Sequence, residues 1–254
     1  MKNNKGLLPF LSILGVVIIV GVAAFGYAFL REPEAPSVEL VVEPSAIPAA
    51  ETTQNSEGQP TAESAPEENT SEDISQSGVF RIDPSQSEAR FTLNELLEGQ
   101  PTVVIGKTSQ VAGEFRVEPD QSQVEMGEIL VNARDLVTDN NFRNRAIHNR
   151  ILDSNTYEFI SFAPTETILL PDEVNFGEGI DFEISGVLTI KGVTQQVIFT
   201  ARITPISESQ IEGHAETMLA YADYGINIPS VERVAEVDED VLLEIDFVAL
   251  AVSE

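Results

Sequence analysis

Short runs in which apolar and polar side chains alternate fill residues 78–254. That period of two belongs to strands with one buried face. Ala89, Phe91 and Leu93 alternate with Glu88, Arg90 and Thr92. Phe182, Ile184, Leu188 and Ile190 share one face of a longer segment broken by Gly186. Val197, Phe199, Ala201 and Ile203 repeat the pattern past a turn at Gly192, so 180–203 predicts a β-hairpin. Near the C-terminus Val241, Leu243, Ile245, Phe247 and Ala249 point one way, Glu244 and Asp246 the other. Many such segments separated by turn residues predict an all-β antiparallel sandwich or barrel with a single inside.

One stretch breaks this rhythm. Thr138, Asp139, Asn140 and Asn141 are cap-forming residues, and Phe142, Ala146, Ile147 and Ile151 follow at near-helical spacing. The pattern predicts a short helix, or helix plus turn, laid across one end of the sheet as a lid.

Before residue 78 the pattern is different again. Residues 7–30 are uncharged and mostly apolar, and at about 1.5 Å per residue they reach about 36 Å, enough to cross a hydrocarbon core. Lys2 and Lys5 precede the run and Glu32 and Glu34 follow it, which predicts one membrane-spanning helix with the remainder outside the cytoplasm. A cleaved signal peptide is the alternative, with Val22, Ala23 and Ala24 offering small residues at a cleavage site. Either reading exports the domain. Residues 31–77 carry 11 acidic side chains against Arg31 and are rich in Pro, Ser, Thr, Ala and Gln. So little apolar surface predicts a disordered linker.

Composition narrows the function. The net charge of -28 repels phosphate backbones, which argues against a nucleic-acid partner. There is no Cys, so disulfides, thiolate metal sites and Cys nucleophiles are excluded. The two histidines, His148 and His214, offer little for catalysis. His214 falls on an outward face with Glu212 and Glu216, and His148 falls in an Arg-rich segment where pairing or capping suits it better than base catalysis. Acidic groups at Glu236, Asp238, Glu239 and Asp240, and at Asp172, Glu173 and Glu178, lack the spacing of a calcium loop and read as solvated turns. The sequence therefore predicts no catalytic residues, no metal and no cofactor.

Several pieces in order resemble the YceI-like proteins, a family of lipid- or polyisoprenoid-binding, lipocalin-like barrels. They are Phe80-Arg81-Ile82-Asp83-Pro84 with Ser87, the Asn140–Leu152 segment, Tyr157-Glu158-Phe159-Ile160-Ser161-Phe162, Ile184-Ser185-Gly186-Val187-Leu188-Thr189-Ile190-Lys191-Gly192-Val193-Thr194, and Tyr224-Gly225-Ile226 with Val241–Ala249. Gln86 and Ala146 depart from it, standing where the family often has His and Asp. The resemblance covers 79–252 and implies an eight-stranded barrel that binds an isoprenoid or other long apolar lipid.

An eight-stranded barrel either fills with side chains or holds one small ligand. For the second case the expected lining is Phe91, Phe115, Phe159, Phe182, Leu188, Phe199 and Phe247, with Phe142 and Ile147 on the lid. A shift of strand parity would exchange Phe159 for Ile160 and Phe162. Arg143, Arg145, His148 and Arg150 are candidates for a lipid head group. Equally, the arginines neutralise carboxylates of an acidic domain. Protein partners and oligomeric state are not legible.

Overall fold

The computed structural model describes residues 31–37, 78–118, 122–228 and 234–252. Within them fourteen antiparallel strands hydrogen-bond into one curled sheet. In chain order the first nine are β1 (Gly78–Ile82), β2 (Glu88–Leu97), β3 (Gln100–Thr108), β4 (Val111–Ala112), β5 (Glu114–Glu118), β6 (Gln123–Met126), β7 (Ile129–Asn132), β8 (Phe159–Pro164) and β9 (Ile168–Leu169). The remainder are β10 (Ile180–Ile190), β11 (Val193–Ser207), β12 (Gln210–Ala220), β13 (Val234–Val237) and β14 (Asp240–Ala251).

The expected eight-stranded barrel is corrected by this topology: the sheet has fourteen strands and forks at β14. One edge of β14 pairs with β2 from Leu242 to Asp246, and further along with β1 from Ala249 to Ala251. The fork follows from a tight turn between β1 and β2, a single 3-10 turn at Pro84–Gln86. Asp83 caps it by accepting from the Ser85 amide at 2.9 Å, while Pro84 has no N–H to give a ladder. One branch therefore runs β14-β2-β3, with β13 on β2, and the other runs β14-β1-β5-β6-β9. On its opposite edge β14 continues to β12, β11, β10, β8, β7 and β4.

The hairpin of β10 and β11 holds an unbroken register from Ile180↔Ile203 to Ile190↔Val193. Lys191 and Gly192 both take positive φ, 52° and 75°, as a two-residue hairpin turn of matching twist requires. Gly186 does not interrupt the buried face. A Cβ there would lie 2.3 Å from the Phe162 ring, so the missing side chain gives that ring its place. The core gathers Phe80, Ile82, Phe115, Phe162, Ile184, Leu188, Ile190, Ala201, Ile211, Phe247 and Ala249 on the concave face.

The predicted lid is a helix α1 (Asn141–Ala146) that runs into a π turn at Ile147–Ile151. Asn140 caps α1 through its side-chain oxygen, which accepts from the amides of Phe142 and Arg143 at 2.9 and 3.1 Å. The hairpin tip holds the other end. Lys191 Nζ donates to the carbonyls of Arg150 and Ile151 at 3.1 and 2.9 Å, placing a cation where orphan carbonyls collect.

The apolar run 7–30 and linker residues 38–77 lie outside the described residues. Among the described residues no helix is long and apolar enough to cross a membrane. Residues 31–37, read from the sequence as the start of the linker, lie against the domain. The Glu34 amide donates to Asn155 Oδ1 at 3.1 Å and the Ser37 amide to Glu158 Oε1 at 2.7 Å. Asn149 donates to the Arg31 carbonyl at 2.8 Å, and Arg134 reaches Glu34 at 3.3 Å.

Candidate functional site

Between the concave face of the sheet and the lid is a cavity of about 260 Å³. Its wall is almost wholly hydrocarbon. β2 contributes Phe91 and Leu93, β8 contributes Ile160 and Phe162, and β10 contributes Ile184, Leu188 and Ile190. Phe199 and Ile203 come from β11, Leu243, Ile245 and Phe247 from β14, and Ile147 and Ile151 from the lid. Strand alternation explains the lining: every second residue of each strand faces inward, and those positions are the apolar ones. Phe162 and Phe199 meet edge to face with centroids 4.9 Å apart, which fixes one side of the wall.

The structure brings together six of the nine expected lining residues: Phe91, Phe115, Ile147, Leu188, Phe199 and Phe247. Three stand elsewhere. Phe159 is off the wall, because β8 faces inward with Ile160 and Phe162, the other parity of that strand. Phe182 lines a second cavity of about 110 Å³. Phe142 is 74% exposed on α1. Phe142 and Ile147 stand five residues apart across α1, about 140° around a helix of 3.6 residues per turn, so Phe142 faces away from the wall that Ile147 joins. Residues missed from sequence include Met126 on β6 and Glu95 on β2, both on the wall. Alternation in β2 ends in a polar residue at Glu95, and its partner is visible only in three dimensions.

The lid presents one charged side chain to the cavity, Arg143, and it is paired. Arg143 Nη2 donates to Glu95 Oε1 at 2.8 Å and Nη1 to Asp139 Oδ1 at 2.5 Å. Arg143 and Glu95 both border the cavity, so their ion pair ties α1 to β2. Of the four head-group candidates Arg143 alone reaches the wall. Arg145 and Arg150 are half-buried, with the Arg150 carbonyl held by Lys191. His148 is buried inside the lid, its Nδ1 3.2 Å from Ser154 Oγ. Burial pushes the His148 imidazole below its ordinary range, against the pull of the Leu136 and Ala133 backbone and Asp135. A neutral, enclosed imidazole serves the lid's packing rather than a charged head group.

Beside the lid, Arg134 knits the chain. It donates to the carbonyls of Ser154 and Asn155 at 3.0 and 2.9 Å and pairs with Glu158 at 3.0 Å. Burial alone would raise the Glu158 carboxyl. Hydrogen bonds from Ser37 and Asn132 and the Arg134 charge outweigh it and hold Glu158 below the usual carboxylate range. The docked residues 31–37 thus reach the same loop that ends the lid.

On the outer face His214, Glu216 and Glu244 hold ligand-capable atoms within 4.8 Å of one another. Arg90 occupies this cluster, bonding Glu244 at 2.8 Å and pairing with Asp246, while Asp246 also accepts from His214 Nδ1 at 2.7 Å. The guanidinium supplies the positive charge these carboxylates call for.

Among curated proteins no relative matches this chain. A polyisoprenoid-binding domain from Saccharophagus degradans, implicated in plant cell wall breakdown, superposes with a TM-score of 0.52 at 13% identity. The match covers 68% of this chain and 98% of that one. BcnA of Burkholderia cenocepacia superposes with a TM-score of 0.50 at 13% identity, over 66% of this chain and 98% of its own. These likenesses show the fold. The family profile described as the YceI-like domain matches residues 80–249, so the chain belongs to the YceI-like family.

Proposed function

We propose that this protein binds a long apolar lipid of isoprenoid type, a quinone or a polyprenol, for sequestration or transport. The observation that carries this reading is the cavity of about 260 Å³ with a hydrocarbon wall beneath the lid. Each methylene moved there from water contributes about 0.8 kcal/mol, so a chain of modest length offsets the cost of association. The void counts against a filled barrel displayed only to meet protein partners. The solved relative described as a polyisoprenoid-binding domain agrees with the ligand class.

The head group follows from the same geometry. Arg143 is neutralised by Glu95 and Asp139, so the lid suits an uncharged hydroxyl or quinone oxygen better than a phosphate. No step of this function needs a catalytic residue. The apolar run 7–30 would hold the domain at the membrane from which such a lipid comes, on the extracytoplasmic side. Native mass spectrometry of the full chain, produced in a bacterium that makes isoprenoid quinones and followed by solvent extraction, tests the reading. A stoichiometric adduct that releases a prenyl lipid is expected. A clean mass, with no uptake of added quinone or polyprenol, would contradict it.

A further inference from the structure

The two cavities share a wall. Phe115, Met126, Ile203 and Phe247 border both, and they come from two cross-strand rows. In one row Ile203 on β11 stands opposite Gly213 on β12, which stands opposite Phe247 on β14. In the other Phe80 on β1 stands opposite Phe115 on β5, which stands opposite Met126 on β6. The rows meet where Phe115 and Phe247 lie edge to face with centroids 6.2 Å apart, and Phe80 stacks on Phe115 at 5.7 Å. Gly213 leaves a gap in its row, and the Phe247 ring fills it: a Cβ at Gly213 would sit 2.3 Å from that ring. The larger cavity thus has a floor, and the smaller one lies beneath it.

We propose that this floor is a chain-length stop, with Phe247 and Phe115 the residues that set how long a lipid tail the protein accepts. The inference rests on the lipid-binding reading and extends it to specificity. A tail entering under the lid gains burial with each added isoprene unit until it meets the Phe247 ring. Further units must then stay in water, stay under the lid or displace a well-packed aromatic pair. Each of these forgoes the burial gain that shorter tails collect with every added methylene. Binding should therefore rise with chain length and then stop rising. Truncating Phe247 joins the two cavities and moves that turning point to longer tails.

The test is displacement of a dansyl-labelled fatty acid from the full chain by geraniol, farnesol, geranylgeraniol and solanesol. Wild type, Phe247→Ala and Met126→Ala are compared, with folding of each checked by circular dichroism. Met126→Ala opens the same floor through a half-buried flexible side chain, so it keeps the question answerable if the Phe247 variant does not fold. The expected result is a turning point in the wild-type series that moves to a longer prenol in either variant. The first prenol past the wild-type turning point should gain about tenfold in affinity relative to the one before it. An unmoved turning point in a folded variant overturns the stop and leaves lipid binding standing. A wild-type chain that binds the dansyl probe or any prenol not at all overturns lipid binding and the stop together.

Discussion

The ring of Phe247 lies over Gly213, its cross-strand partner, at a distance that leaves no room for a Cβ. An aromatic side chain packed on a bare backbone in this way fixes both the register of β12 on β14 and the shape of the interior. Gly213→Ala should therefore destabilise the fold by about 1–3 kcal/mol, the usual cost of overpacking. Phe247→Leu in the same chain should recover part of that loss, because the two residues compete for one space. Thermal unfolding of the two single variants and the double variant measures the coupling, and strictly additive effects would be at odds with this packing.

The lid should weaken in mild acid. His148 is buried and its folded-state pKa is depressed below 6.5 by desolvation. The unfolded chain therefore takes up a proton first as pH falls, so stability is full above about pH 6.5 and declines below it. The decline continues until pH passes the depressed folded value. His148→Gln should flatten this dependence in urea unfolding between neutral and mildly acidic pH. An unchanged slope would mean that His148 is not the group responsible.

A second, lower acid transition belongs to the outer face. The Arg90 hydrogen bond holds Glu244 below the usual carboxylate range. Burial pushes Asp246 up, but bonds from Arg90 and His214 outweigh it and lower it too. Depressed carboxylates contribute stability above their unfolded values, near 4.5 and 3.8, and lose it as pH falls through the folded values. Arg90→Gln should cost about 0.5–1 kcal/mol at neutral pH, since Asp246 is half exposed. Most of that difference should vanish at pH values low enough to protonate both carboxylates in wild type.

Docking of residues 31–37 gives a prediction at single-atom level. Ser37 offers its amide to Glu158, and Ser37→Pro removes that donor. The loss should be about 1 kcal/mol, the Glu158 carboxyl should titrate at higher pH, and amide exchange across residues 153–158 should quicken. Exchange unchanged from wild type would show that this segment does not brace the lid.

Much of the sheet was legible because its physics is local. The period-two pattern of 88–93, 180–203 and 241–249 follows from one wet and one dry face, and each run became a strand. The fork at β14 was not legible, since it depends on how a Pro84 turn divides one strand's edge between two partners far away in sequence. The same limit explains the lining. Phe91, Phe199 and Phe247 follow their strands' alternation inward. Phe159 did not, because the parity of β8 is set by pairing with β10, where Phe162 stands opposite Leu188. Gly186 read as a break in a strand, yet its role is to seat the Phe162 ring. Phe142 reads as part of an apolar helical stripe, yet five positions put it about 140° around the helix from Ile147 and out in solvent. The Arg143–Glu95 pair joins residues 48 positions apart, and no local pattern announces it.

The central claim is that a lipid tail occupies the interior of the sheet, under the lid. Photo-crosslinking of the full chain with a diazirine-bearing farnesol, followed by peptide mapping, tests it most directly. The account predicts adducts on Ile160, Phe162, Leu188 and Phe199, all on the cavity wall, and their loss when unlabelled geranylgeraniol competes. Adducts confined to exposed apolar residues such as Phe142, Leu169, Ile198 and Met218 would contradict it.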